Sequence, residues 1–174
     1  MSKNIIKLIT LLKENLLEVG DLKNITPYNI IKVRDGKYKF EIEEGDIVDV
    51  IFTLVPKNTE YLIDVASIIN KEKITNYYNL GYSIKGFSTQ AKTTDIKELL
   101  KITSTISEIV KEFILINPNS AIMMFEENKK EELGITSGQK SLLYKSVISQ
   151  NLLTGYLSGP VKYNKFKGLI IAPK

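Results

Sequence analysis

The chain has 174 residues, a formal net charge of +4, 43% hydrophobic and 25% charged residues; these are ordinary globular values, which exclude an intrinsically disordered chain and predict one domain over residues 1–174 with its own core. It has no cysteine and no histidine, which removes thiol nucleophiles, disulfides, thiolate and imidazole metal sites, and the Ser-His-Asp and Cys-His constellations. No apolar run reaches the roughly 18–20 residues that cross a bilayer, and Lys7, Lys13, Glu14 and Glu18 interrupt the N-terminal segment, so neither a membrane anchor nor a signal peptide is expected.

From Asn4 to Val19, Ile5, Leu8, Ile9, Leu12, Leu16 and Val19 fall on one helical face and Gly20 supplies a stop, predicting an amphipathic N-terminal helix. The turn-rich "GDLKNITPYN" leads into "KYKFEIEEGDIVDVIFTLV". There Tyr38, Phe40 and Ile42 alternate with charged residues, "EGD" makes a turn, and Val48, Val50, Phe52 and Leu54 alternate again, the pattern of a hairpin with one buried face and Asp49 pointing outward. "YLIDVASII" fits a strand or a short helix, and is taken as helical or irregular. "NYYNLGYSIKGF" predicts a third strand interrupted by Gly81.

Between Asp95 and Ile116 apolar residues recur at helical spacing and "NPN" ends the run, predicting a long central helix. "SAIMMFEE" has the near-continuous apolar character of a strand covered on both faces. A C-terminal helix is predicted from Ser137 to about Gln150, and "GYLSGPVKYNKFKGLIIAPK" offers one or two closing strands. The expected class is α+β: a mostly antiparallel sheet, the hairpin plus two or three further strands, packed against an N-terminal helix, one long central helix and a C-terminal helix.

Four groups of residues carry possible chemistry. "GITSGQKS", from Gly134 to Ser141, approaches the phosphate-binding loop G-x-x-x-x-G-K-[ST], but Gln139 stands where the second glycine belongs and the polar "EENKKEEL" separates it from the preceding strand. Thr136 and Gln139 instead have the spacing of a helix capping box. Glu126, Glu127, Glu131 and Glu132 lie just after a strand, where magnesium ligands are common; Lys129 and Lys130 interleave with them, and a solvated loop is the reading taken, with no metal and no cofactor expected. Asp46, Asp49 and Asp64 have no spacing that specifies an acid and base pair.

The fourth group is basic and aromatic. Glu132 is the last acidic residue, and Lys140, Lys145, Lys162, Lys165, Lys167 and Lys174 follow it, which leaves the rest of the chain slightly acidic. With Tyr78 and Tyr82 on a tyrosine-rich strand, these lysines offer a contact surface for a nucleic acid or another polyanion. The solitary arginine, Arg34, argues against major-groove readout.

The order of "EVGDLKNITPYNI", "YKFEIEEGDIVDVIF", "YNLGYSI", "LLKITSTISEIVKEFILINPN" and "SLLYKSVISQNL" resembles that in a family of small, uncharacterised proteins encoded by bacteriophages and related elements. The resemblance runs over most of the chain and includes the pair Leu143 and Tyr144. It implies a mobile-element setting, in the host cytoplasm or in a virion, and transfers no catalytic residue. The function expected from residues and resemblance together is a non-enzymatic binding or assembly module with a protein partner or self-association. A nucleic-acid-binding accessory protein using the basic C-terminal segment is the alternative. A second alternative is a metal-dependent phosphodiester or nucleotide enzyme built on Glu126, Glu127 and Lys140, with the metal activating water.

Overall fold

A computed structural model describes residues 25–43, 45–56, 69–85, 96–125, 153–163 and 166–174. Seven strands form one sheet: β1 (Ile30–Arg34), β2 (Lys37–Glu41), β3 (Ile47–Val55), β4 (Asn76–Lys85), β5 (Ser120–Phe125), β6 (Tyr156–Tyr163) and β7 (Phe166–Pro173). A helix, α1 (Ile96–Ile116), joins β4 to β5, and a short 3₁₀ turn, η1 (Lys71–Lys73), precedes β4. The spatial order is β1-β2-β3-β4-β5-β7-β6. Neighbours are antiparallel except β4 and β5, which are parallel.

This corrects the expected architecture. In place of three helices on a mostly antiparallel sheet of four or five strands, the described residues form a mixed seven-stranded sheet with a single α-helix. The helices expected at Asn4–Val19 and Ser137–Gln150, and the segment "YLIDVASII" as far as Ile68, lie outside the described residues. The mixed character has a physical cause: parallel strands cannot be closed by a tight turn, and α1 supplies the crossover that brings β5 alongside β4. The sequence also hides β1, whose "IIKVR" lacks alternation. Asp35-Gly36, the two residues between β1 and β2, mark this hairpin, with Gly36 at φ +75°.

The two faces of the sheet bury different residues. One packs against α1: Tyr38, Phe40, Val48, Val50, Phe52, Leu80, Ile122, Met124, Leu169 and Ile171 join Ile102, Ile106, Ile109, Val110, Phe113 and Ile114 in the larger core. On the other face Val55, Tyr77, Ala121, Met123, Val161, Ile170 and Ala172 gather with Ile69 and Ile74. Strand β5 feeds both cores, so Ala121, Ile122 and Met123 are fully buried. That double burial is why its sequence is continuously apolar.

Aromatic contacts hold α1 to the sheet. Phe113 stacks on Phe52 with ring centroids 3.9 Å apart and receives the edge of Tyr78 at 4.8 Å; Tyr38 meets Phe52 edge-on at 6.0 Å. At the other end of the helix Thr105 Oγ1 donates to the Lys101 carbonyl and accepts from the Tyr28 backbone amide at 2.9 Å. The Tyr28 ring stacks on Phe40 and lies under the Lys101 ammonium. The Tyr38 hydroxyl is buried and has no hydrogen-bond partner among the described residues. Burial pushes its pKa up, with Glu112 and Asp35 adding in the same direction, so Tyr38 sits in the core as a neutral phenol.

Both outer strands carry features that discourage edge-to-edge pairing. β1 is five residues long, bears Lys32 and Arg34, and bulges between them. β6 carries the exposed Pro160, which has no amide to offer a further strand. No helix among the described residues is long and apolar enough to cross a membrane.

Candidate functional site

The strand registers place a groove on the sheet face away from α1. Across β3 and β4, Asp49 pairs with Ser83, Ile51 with Gly81 and Thr53 with Asn79, and Asn79 pairs in turn with Met123 of β5. Directly paired residues share a face. This set is therefore opposite to Val48, Val50 and Phe52, which lie under the helix. Continuing the parallel register by two residues sets Phe125 beside Gly81.

Gly81 creates the groove. Its neighbours Ile51 and Phe125 stand on either side, two strand spacings apart, about 10 Å. A Cβ built at Gly81 meets nothing within 4 Å. The result is an open concavity of about 520 Å³ whose lining includes Asp49, Ile51, Thr53, Asn79, Gly81, Ser83 and Phe125. Its middle is apolar, between the half-exposed Ile51 and Phe125, and its two ends are polar: Asp49 with Ser83 in one direction along the strands, Thr53 with Asn79 in the other.

Asp49 departs from expectation. Alternation with Val48 and Val50 assigned it to solvent, yet it is only 5% exposed. Its register partners are Lys39 on β2 and Ser83 on β4. Alternation identifies which face a residue occupies but is silent on whether that second face is covered. Here Asp49 is buried although Ile51 and Ser83, its neighbours on the same face, are exposed.

Of the residues singled out by sequence, the described ones lie on different strands. Tyr78 is half-buried with its ring edge on Phe113, and Tyr82 packs against the same core, so both belong to the helix-facing side and do not form an open stacking platform. Tyr77 lies on the opposite face in the second core, where burial raises its pKa. Lys162 and Lys167 are register partners across β6 and β7. Lys140, Lys145 and Lys165, together with Glu126, Glu127, Asp64 and the whole of "GITSGQKS", lie outside the described residues.

Asp46 sits in the turn between β2 and β3, where its carbonyl accepts from the Ile42 amide. Among the described residues no group of three or more acidic side chains is placed to hold a metal ion. Sequence reasoning missed the groove residues Thr53, Asn79, Ser83 and Phe125. The available signal was Gly81, since a glycine inside a strand marks a bulge or a close approach of another group. No protein-family model, no curated protein and no solved structure matches the chain.

Proposed function

We propose that the chain is a non-enzymatic binding or assembly module whose working surface is the sheet face opposite α1, and that it engages a protein partner there. The observation that carries this reading is the groove at Gly81: an open slot with apolar walls and polar ends, on a sheet whose outer strands resist edge pairing. Such a slot receives side chains from above and does not extend the sheet. A bacteriophage or mobile-element setting, in the host cytoplasm or a virion, is supported by the sequence resemblance alone.

The test is selection of a randomised displayed peptide library on the full-length protein, followed by affinity measurement on two variants. Gly81→Val fills the slot in a conformation that strands favour. Leu115→Ser alters a 71% exposed position on α1. Selected peptides are expected to lose at least tenfold in affinity on Gly81→Val and to bind Leu115→Ser unchanged. If no selected peptide distinguishes the two variants, the groove is not the working surface.

A second reading draws on the cross-strand pair Lys162 and Lys167, which places two lysines of the acid-free C-terminal segment together on one hairpin. In a nucleic-acid-binding protein they contribute to phosphate neutralisation. Binding of single-stranded oligonucleotide is then expected to weaken steeply with added salt and to fall in the double Gln variant. Absence of binding at low salt removes this reading.

A further inference from the structure

From the charge distribution of this face we infer that the partner protein docks with an acidic segment, setting an aliphatic residue in the slot at Gly81 and aspartate or glutamate side chains over the basic strands beside it. The inference rests on reading this face as the binding surface and specifies the partner's chemistry. The strand registers lay one row of residues across the sheet: Arg34 pairs with Lys37, Lys37 with Ile51, and Ile51 with Gly81. Past Gly81 the row runs through Phe125 to Gly168 and Val161. Directly paired residues share a face, so the row is basic on β1 and β2 and has no charge from β3 onward. Lys39 stands one row along on the same face of β2, about 7 Å from Lys37.

Arg34 is exposed, and Lys37 and Lys39 are partly exposed. None of the three takes part in an ion pair among the described residues, whereas Lys32, on the opposite face, is held by Asp35 at 3.2 Å. Against these three cations the two rows set one acid, the enclosed Asp49 across from Lys39. The next row, Glu41, Ile47 and Lys85, carries one residue of each sign. A positive excess therefore lies to one side of the slot, where it attracts and orients a chain that carries acid on that side. Arg34 adds a planar fork that matches a carboxylate.

The slot selects the aliphatic residue. A Cβ built at Gly168 comes within 3.0 Å of the Phe125 ring, while one built at Gly81 meets nothing within 4 Å. The ring thus leans to the β7 side and leaves the floor open beside Ile51. Lys37 lies two strand spacings from Gly81, about 10 Å, and Arg34 three, about 14 Å. An extended chain advances about 3.3 Å per residue, which sets the acids three or four positions from the aliphatic residue. Nucleic acid would meet the same charges, but its bases need exposed aromatic faces. Here Tyr77 is buried in the second core and Phe125 is half-buried, so the face favours a peptide.

The experiment titrates the full-length, ¹⁵N-labelled protein with two glycine–serine peptides, each bearing one leucine and a pair of glutamates three and four positions away, after the leucine in one and before it in the other. Glutamine versions of both peptides and a short oligothymidylate are the comparisons. The better glutamate peptide is expected to shift the amide resonances of Lys37, Ile51 and Gly81 and to bind at least fivefold more tightly than its glutamine version. That preference is expected to collapse in about 0.5 M salt, which screens exposed charges over a few ångströms. The Lys37→Gln/Lys39→Gln double variant is expected to lose the preference while keeping the shift at Gly81; the salt series on the wild type gives the same readout without any variant. Equal binding of the glutamine peptides overturns the acidic segment and leaves the groove as the surface. Tighter binding of the oligothymidylate than of either glutamate peptide, lost in the double variant, overturns the peptide in favour of a nucleic acid. Library peptides that depend on Gly81 yet carry no aspartate or glutamate overturn the inference and leave the functional reading intact. An absence of shifts with every probe overturns the inference too, and the functional reading falls separately, when the library experiment yields no peptide that depends on Gly81.

Discussion

Phe113→Ala is expected to cost about 3–5 kcal/mol of folding stability. Phe113 is 3% exposed and lies flat against Phe52, with the edge of Tyr78 against it, so one ring joins α1 to β3 and β4 at once. The 3.9 Å centroid separation is shorter than the 4.5–7 Å at which ring quadrupoles favour one another. The stabilisation therefore comes from burial and dispersion, and Phe113→Leu, which keeps much of the volume, should lose far less. Domains of this size have only about 5–15 kcal/mol to lose. Urea denaturation should accordingly show a markedly lower midpoint with an unchanged slope for the alanine variant. A loss below about 1 kcal/mol would contradict the packing of α1 on β3 and β4, because a fully enclosed aromatic cannot be deleted that cheaply.

Tyr78 illustrates how far sequence reaches into this fold. Its strand was legible from "NYYNLGYSIK", and so were the β2–β3 hairpin, the doubly buried β5 and the closing strands, because alternation and apolar runs are local signals. What the strand's composition did not reveal was which tyrosine faces which core. Tyr77 and Tyr78 point to opposite faces, and only the pairing of Leu54 with Tyr78 and of Val55 with Tyr77 assigns them. Those contacts are made across chain separations that no local pattern encodes. The parallel pairing of β4 with β5 is of the same kind, and it is also what produces the site. Ile51, Gly81 and Phe125 come from three strands, and the empty position between two side chains is defined only once all three are in register. Asp49 was misassigned for a related reason: its parity was correct, but its burial depends on the covering of a face that alternation does not report. Gly81 alone announced itself, as a residue that strands ordinarily avoid.

Gly168→Ala is expected to destabilise the protein by about 1–3 kcal/mol or more, while the same substitution at Gly81 is expected to be neutral or to stabilise by a few tenths of a kcal/mol. Both glycines lie inside strands and neither needs a positive φ, so conformational freedom cannot distinguish them. Space does. Gly168 pairs with Phe125 on β5 and with Val161 on β6, and a Cβ built there runs into the Met124 carbonyl oxygen and comes within 3.0 Å of the Phe125 ring. The obstructing carbonyl belongs to the backbone of a strand buried on both faces and has no rotamer by which to withdraw. Relief must come from moving β7 away from β5, and β7 carries Leu169 and Ile171 into one core and Ile170 and Ala172 into the other. A single methyl group at this position therefore loosens both cores together. At Gly81 the same methyl enters open groove and removes the entropic penalty that glycine imposes on the unfolded chain. Paired denaturation measurements on the two variants should give shifts of opposite or clearly unequal size. Equal effects would show that β5 and β7 do not approach as closely as their register requires, and that the open floor of the groove is not open.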